Sequence, residues 1–166
     1  MSIRPRSLRA LGAALAGLAL VGLSACGSDD DEPDRDETTN EITEAGDADV
    51  FSIEVGDCMS DDAATTGEVS EVPVVPCEEP HASEVFYIHQ IEAETLPDET
   101  EMQALVEEQC VGNFESFVGM PYDTSALRVT WLEPTSGSWD GGDRELVCLV
   151  VDPAGDVTGS LAGAAR

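Results

Sequence analysis

Apolar positions recur with a period of two in several short stretches of this chain, and with spacings of three and four in one longer stretch. Phe51, Ile53 and Val55 alternate with Ser52 and Glu54, which predicts a strand with one buried face, stopped by Gly56-Asp57. A second extended run, Val72-Pro73-Val74-Val75-Pro76-Cys77, carries prolines that suit a sheet edge better than a central position. The third, from Glu84 to Ile91, is apolar on both parities over its middle and reads as a central strand. The helical stretch begins near Asp98, with Glu101 three residues later as a capping-box pair. Met102, Leu105, Val106, Cys110, Phe114, Phe117 and Val118 then form one apolar stripe, which Gly119 and Pro121 terminate. Leu127, Val129 and Trp131 alternate in a fourth strand, and Arg144 to Val151 supplies a fifth. This order predicts an α+β domain, a small and mainly antiparallel sheet with one helix packed on a face.

The two ends of the chain carry different patterns. Arg4, Arg6 and Arg9 precede 13 uncharged residues, Leu11 to Leu23, built almost wholly of Ala, Leu, Gly and Val. That is the layout of an export signal, and the run is short of the roughly 20 apolar residues that a membrane-spanning helix needs. It leads into Leu23-Ser24-Ala25-Cys26, which resembles the lipobox of bacterial lipoproteins. The resemblance implies cleavage after residue 25 and a diacylglyceryl thioether on Cys26, with further acylation of the new amino terminus giving stable anchoring. From Gly27 to Asp49 there are 11 acids, one base and only Ile42 as a large apolar side chain, so residues 26–49 are expected to form a disordered acidic linker. A domain over residues 50–152 and a frayed, Gly- and Ala-rich tail over 153–166 complete the division.

Charge narrows the partners. Seven basic residues, all arginine, stand against 35 acids, for a net charge of −28, which argues against nucleic acid and against an electrostatically held membrane surface. Cleavage after residue 25 would leave four arginines against all 35 acids, a net of −31. Asp29-Asp30-Asp31-Glu32 could gather divalent cations, but nothing fixes a coordination geometry there. Extreme acidity also fits a salt-rich habitat.

With Cys26 given to lipid, Cys58, Cys77, Cys110 and Cys148 remain. An even number in an exported chain points to two disulfides, for which sequence allows three connectivities. Cys58–Cys77 is preferred because it ties the ends of the first two strands together, and Cys110–Cys148 because it pins the helix stripe to the last strand. Zinc is the competing reading, with Cys77, His81 and His89 as ligand types, yet CxxC knuckles are missing and the cysteines lie 19, 33 and 38 residues apart. No metal or other cofactor is expected. No serine elbow, Ser-x-x-Lys pair or unpaired nucleophilic cysteine is present, and no reaction is expected. The glycine-rich run Gly137 to Arg144 lacks a P-loop lysine and reads as a turn that folds Trp139 onto the core.

Val55-Gly56-Asp57-Cys58, Val75-Pro76-Cys77, Pro80-His81, Glu84-Val85, Cys110 with Phe114 and Phe117, and Pro134 through Trp139 to Gly142-Asp143-Arg144 with Cys148-Leu149 together resemble the septum-formation family of actinobacterial envelope proteins, over roughly residues 50–151. The resemblance implies an extracytoplasmic domain with two disulfides and an association with cell division. In many relatives a transmembrane segment precedes the domain, where here a lipid anchor takes its place. The expected function is therefore a non-enzymatic binding or structural component of the envelope on the outer face of the cytoplasmic membrane, with envelope or division proteins as partners. The alternative is a lipoprotein that binds a small solute or cation. His81, Glu84 and Trp139, in the loops 78–84 and 137–144, are the expected partner-binding residues.

Overall fold

A computed structural model describes residues 33–60 and 69–166. The leader, residues 1–25, the expected lipidation site Cys26 and the acidic run Asp29 to Glu32 lie outside the described residues. Within the described residues the strands are β1 (Asp34–Arg35), β2 (Ile42–Glu44), β3 (Gly46–Asp49), β4 (Cys58–Met59), β5 (Glu71–Val75), β6 (Ser83–Gln90), β7 (Arg128–Leu132) and β8 (Glu145–Val151). β1 and β2 form a small ribbon, and the others form one sheet in the order β3-β5-β4-β6-β8-β7. Every described pairing between strands is antiparallel. The fold is α+β, with a helical run on one face of the sheet, as the apolar pattern predicts, and two disulfides, as the cysteine count predicts.

That run comprises α1 (Glu99–Leu105), a π-helical turn (Val106–Val111) and α2 (Gly112–Val118). The Asp98 side chain accepts from the Thr100 and Glu101 amides, and the Glu101 carboxylate accepts from the Asp98 amide, closing the capping box. At the far end Gly119 adopts φ of 80°, the left-handed cap that glycine takes without a Cβ penalty. The buried side chains are Met102, Val106, Cys110, Phe114 and Val118, each four residues from the last. On an ideal α-helix a strict period of four drifts by about 40° per step, which would carry the stripe away from the sheet. The wider π turn, whose bonds include Gly112 N–H to the Glu107 carbonyl, winds less per residue and brings the stripe back.

β8 shows why the sheet needs two layers of cover. Leu146, Cys148 and Val150 pack beneath the helical run, whereas Val147 and Leu149 face the opposite side. That second face is closed by Ile42, Ala48 and Ile53, two of which belong to the expected linker. The disordered reading of residues 26–49 is thus corrected over 33–49. Ala48 and Ile42 are almost wholly buried and cover a face that is otherwise apolar and open to water.

Three further expectations change. Residues 51–55 do not form a strand. Asp49 caps a 3₁₀ turn over Val50–Ser52, leaving Phe51 59% and Val55 54% exposed while Ile53 is buried. β5 is not an edge strand, because β3 pairs along its outer side with Asp47 opposite Pro73. The Pro73 carbonyl accepts from the Ser60 amide at 3.0 Å, so its missing N–H faces β4 where that two-residue strand ends, and the β3 ladder is unaffected. The tail over 153–166 is not frayed. Val157 forms a bridge with His81, the Gly159 amide donates to the Cys77 carbonyl, and the Gly163 and Ala165 amides donate to the Phe117 and Val118 carbonyls.

Candidate functional site

The end of the sheet where β4 and β6 begin meets three other segments: the β1–β2 ribbon, the turn 54–57, and the tail around Ser160. Between them lies a cleft of about 560 Å³, with Thr39 to Thr43 on one wall and Cys77, Glu84, Phe117 and Ser160 on the other. The ribbon is held in place by Arg35. Its guanidinium donates to both carboxylate oxygens of buried Asp57 at 2.7 Å and reaches the Asn40 carbonyl. The paired Asp57 raises the pKa of Arg35, and Asp57 also accepts from the Glu54 amide.

Glu84 sits at the floor. Cys58 is its partner across the β4–β6 ladder, so the two side chains share a face of the sheet. Its carboxylate accepts from the Ser160 hydroxyl and from the Leu161 amide, both at 2.6 Å. Burial pushes the Glu84 pKa up, against the opposing pull of Ser160, Leu161 and nearby His81. Cys58 and Cys77 are joined across the same corner, with Cys58 buried and Cys77 half-buried on the cleft wall. One ligand atom each from Cys58, Cys77 and Glu84 lies within 4.8 Å of the others. Both sulfurs are engaged in the bridge, and a disulfide sulfur is not the thiolate that zinc requires.

Of the expected partner-binding residues, the structure brings His81 and Glu84 together and leaves Trp139 elsewhere, and none of the three lies on the surface. His81 is wholly buried and Glu84 is 1% exposed. The His81 Nδ1 lies 2.9 Å from the Glu79 carbonyl oxygen, so Nδ1 is the donor there, while Nε2 is buried without a partner among the described residues. Trp139 is 7% exposed in the helical core, on the short helix α3 (Ser136–Asp140), with the Arg144 guanidinium 3.6 Å over its ring. Their polar and aromatic character reflects burial with specific partners, which overturns their reading as a partner surface. His89 is half-buried within β6. The second disulfide, Cys110–Cys148, lies wholly inside the core and joins the π turn to β8.

Sequence reasoning missed Arg35, Asp57 and Ser160. Arg35 did leave a trace, as the single base among 11 acids in residues 27–49.

A family model described as septum formation matches residues 27–165. This chain belongs to the septum-formation family. No curated protein and no solved structure matches it. The septum-formation match begins well upstream of the boundary expected at residue 50, which agrees with β2 and β3 forming part of the domain, and it extends through the packed tail. Among the described residues no helix is long and apolar enough to cross a membrane.

Proposed function

We propose that this septum-formation domain is a lipid-anchored, extracytoplasmic component of the cell envelope that acts by binding a partner at the division site. The observation that carries the binding reading is the cleft together with its rim. Glu41, Glu54 and Glu78 line it, and exposed Val55 stands at its mouth with exposed Phe51 close in sequence. Acidic walls beside uncovered apolar side chains suit a cationic protein segment that also carries an apolar residue. Anchoring through Cys26 is supported by the export-signal pattern and the lipobox-like Leu23 to Cys26, and the family supports a septal setting. A second reading, capture of a small cationic solute, is favoured by the cleft's volume, which falls in the range of small-molecule sites.

The test combines a fluorescent fusion with a photocrosslinking residue at position 55 in dividing cells. The expected result is septal fluorescence, dispersed by Cys26→Ser, and a crosslinked protein whose yield falls as salt is raised. Uniform fluorescence would refute the septal reading, and a Cys26→Ser chain that stays on the membrane would refute the lipid anchor. A crosslink-free chain that binds a cationic solute in equilibrium dialysis would turn the partner reading into the solute reading.

A further inference from the structure

The two disulfides occupy opposite environments. Cys110 and Cys148 are both sealed in the core, beyond the reach of any thiol in the folded state. Cys58–Cys77 spans the wall of an open cleft, with its Cys77 end half-exposed and its Cys58 end buried against Glu84. A bridge with one accessible sulfur, one buried sulfur and a carboxyl beside the buried one has the parts that thiol–disulfide exchange needs. From this arrangement we propose that Cys58–Cys77 is a thiol–disulfide exchange site, attacked at Cys77 by a thiol that enters the cleft, with Glu84 as proton donor to Cys58.

The thiolate of the incoming thiol attacks Cys77 Sγ, the Cys58–Cys77 bond breaks, and a mixed disulfide forms on Cys77. The electron pair of the broken bond leaves with Cys58 Sγ. A thiolate appearing in that buried position would be strongly disfavoured by desolvation, and Glu84 in its protonated form, which burial favours, delivers a proton to it. A second thiol then attacks the mixed disulfide, releasing Cys77 and an oxidised disulfide of the two thiols. Overall two thiols are oxidised and the bridge is reduced, and the reverse sequence installs the bridge from a disulfide donor. Cys77 Sγ lies 3.3 Å from the Gly56 carbonyl oxygen, an acceptor for the Cys77 thiol once the bridge opens. Burial keeps the Glu84 proton available above the ordinary carboxylate range. The titratable and charged groups around it are His81 from the turn before β6, Asp57 with its partner Arg35, Glu78 next to Cys77, and Glu41 and Glu54 across the cleft. Ser160 and Leu161 of the tail complete its surroundings through hydrogen bonds. The exchange does not depend on where the chain is anchored or on what it binds.

The experiment incubates the full folded chain with glutathione and, separately, with dithiothreitol, quenches by acid and alkylation, and maps the cysteines by peptide mass spectrometry. The expected result is that Cys58 and Cys77 become alkylated at least about tenfold faster than Cys110 and Cys148, with circular dichroism unchanged and the glutathione adduct on Cys77. With rates corrected for the thiolate fraction of the reagent, the wild type falls off as pH rises through the Glu84 titration. Glu84→Gln, which keeps an acceptor for the Leu161 amide but has no acidic proton, reacts more slowly and without that fall. Ser160→Ala removes a bond that lowers the Glu84 pKa and moves the fall to higher pH, which provides a second readout should Glu84→Gln not fold. Equal reduction of both bridges only on unfolding would overturn the proposal, as would a glutathione adduct on Cys58, or a corrected pH profile that neither variant alters.

Discussion

Glu84 places a carboxyl in the sheet where a sequence pattern alone would place a surface acid, and its partners explain how. Ser160 and Leu161 stand 76 and 77 residues further along the chain, and no local signal announces a contact of that range. The same distance made the 78–84 segment look like an exposed loop, because the tail that covers it, through the backbone bridge of Val157 to His81 and the bonds of Ser160 and Leu161 to Glu84, is remote in sequence. The raised Glu84 pKa has a consequence for stability. Between the ordinary carboxylate range and the raised native value, the folded chain holds a proton that the unfolded chain has released, so stability falls as pH rises through that interval. Thermal melts from about pH 4 to 8 should show the wild type losing stability relative to Glu84→Gln as pH increases; parallel curves would rule this out. Trp139 makes the complementary case. Buried against the core and under Arg144, it should cost about 3 to 5 kcal/mol on replacement by alanine, measured by denaturant unfolding. A loss below about 1 kcal/mol would mark it as a surface residue after all.

The elements differ in how openly the chain declares them. The helical run was legible to its caps, since Asp98, Glu101 and Gly119 act within a few residues of where they stand. β7 was legible from its apolar alternation and β6 and β8 from their runs of apolar residues, and the preferred pairing Cys58–Cys77 and Cys110–Cys148 agrees with the structure. The π turn was not legible, because the stripe reads at ordinary spacings of three and four and only its buried members keep a strict period of four. The ribbon and β3 were not legible, because Asp, Glu, Thr and Gly make up most of residues 34–49 and their order comes from the sheet face they cover. The available clue lay in β8, whose residues are apolar on both parities and so require a second layer that the predicted elements did not provide. Arg35 is the fastening of that layer. Arg35→Ala leaves buried Asp57 with only the Glu54 amide, and should destabilise by about 2 to 3 kcal/mol. Hydrogen exchange would show the largest loss of protection in β1 to β3, and a uniform loss across the sheet would contradict the fastening role.

At the scale of the whole molecule, the six-stranded sheet is covered on one face by the helical run and on the other by the N-terminal segment, with the tail lashed across the end where the cleft opens. In a chain of seven basic and 35 acidic residues, three arginines carry much of the positioning. Arg35 holds Asp57, Arg144 covers Trp139, and Arg166 pairs with Asp152 at 2.7 Å. The N-terminal fastening also determines how the domain answers to mechanical load. Tension applied upstream of residue 33 runs first into the Arg35–Asp57 pair and then along the β3–β5 ladder. Only residues 33 to 57 can pay out before Cys58, about 80 to 90 Å of chain at 3.3 to 3.6 Å per residue. Beyond that point the Cys58–Cys77 bridge closes a covalent loop around β5, which cannot lengthen while the bridge is intact. A single-molecule pulling trace should therefore show an early, low-force extension no larger than that contour length, at a force that Arg35→Ala lowers further, before the segments outside the two disulfide loops extend. Reduction of the bridge would let the loop pay out, making the domain's compliance a readout of its thiol surroundings.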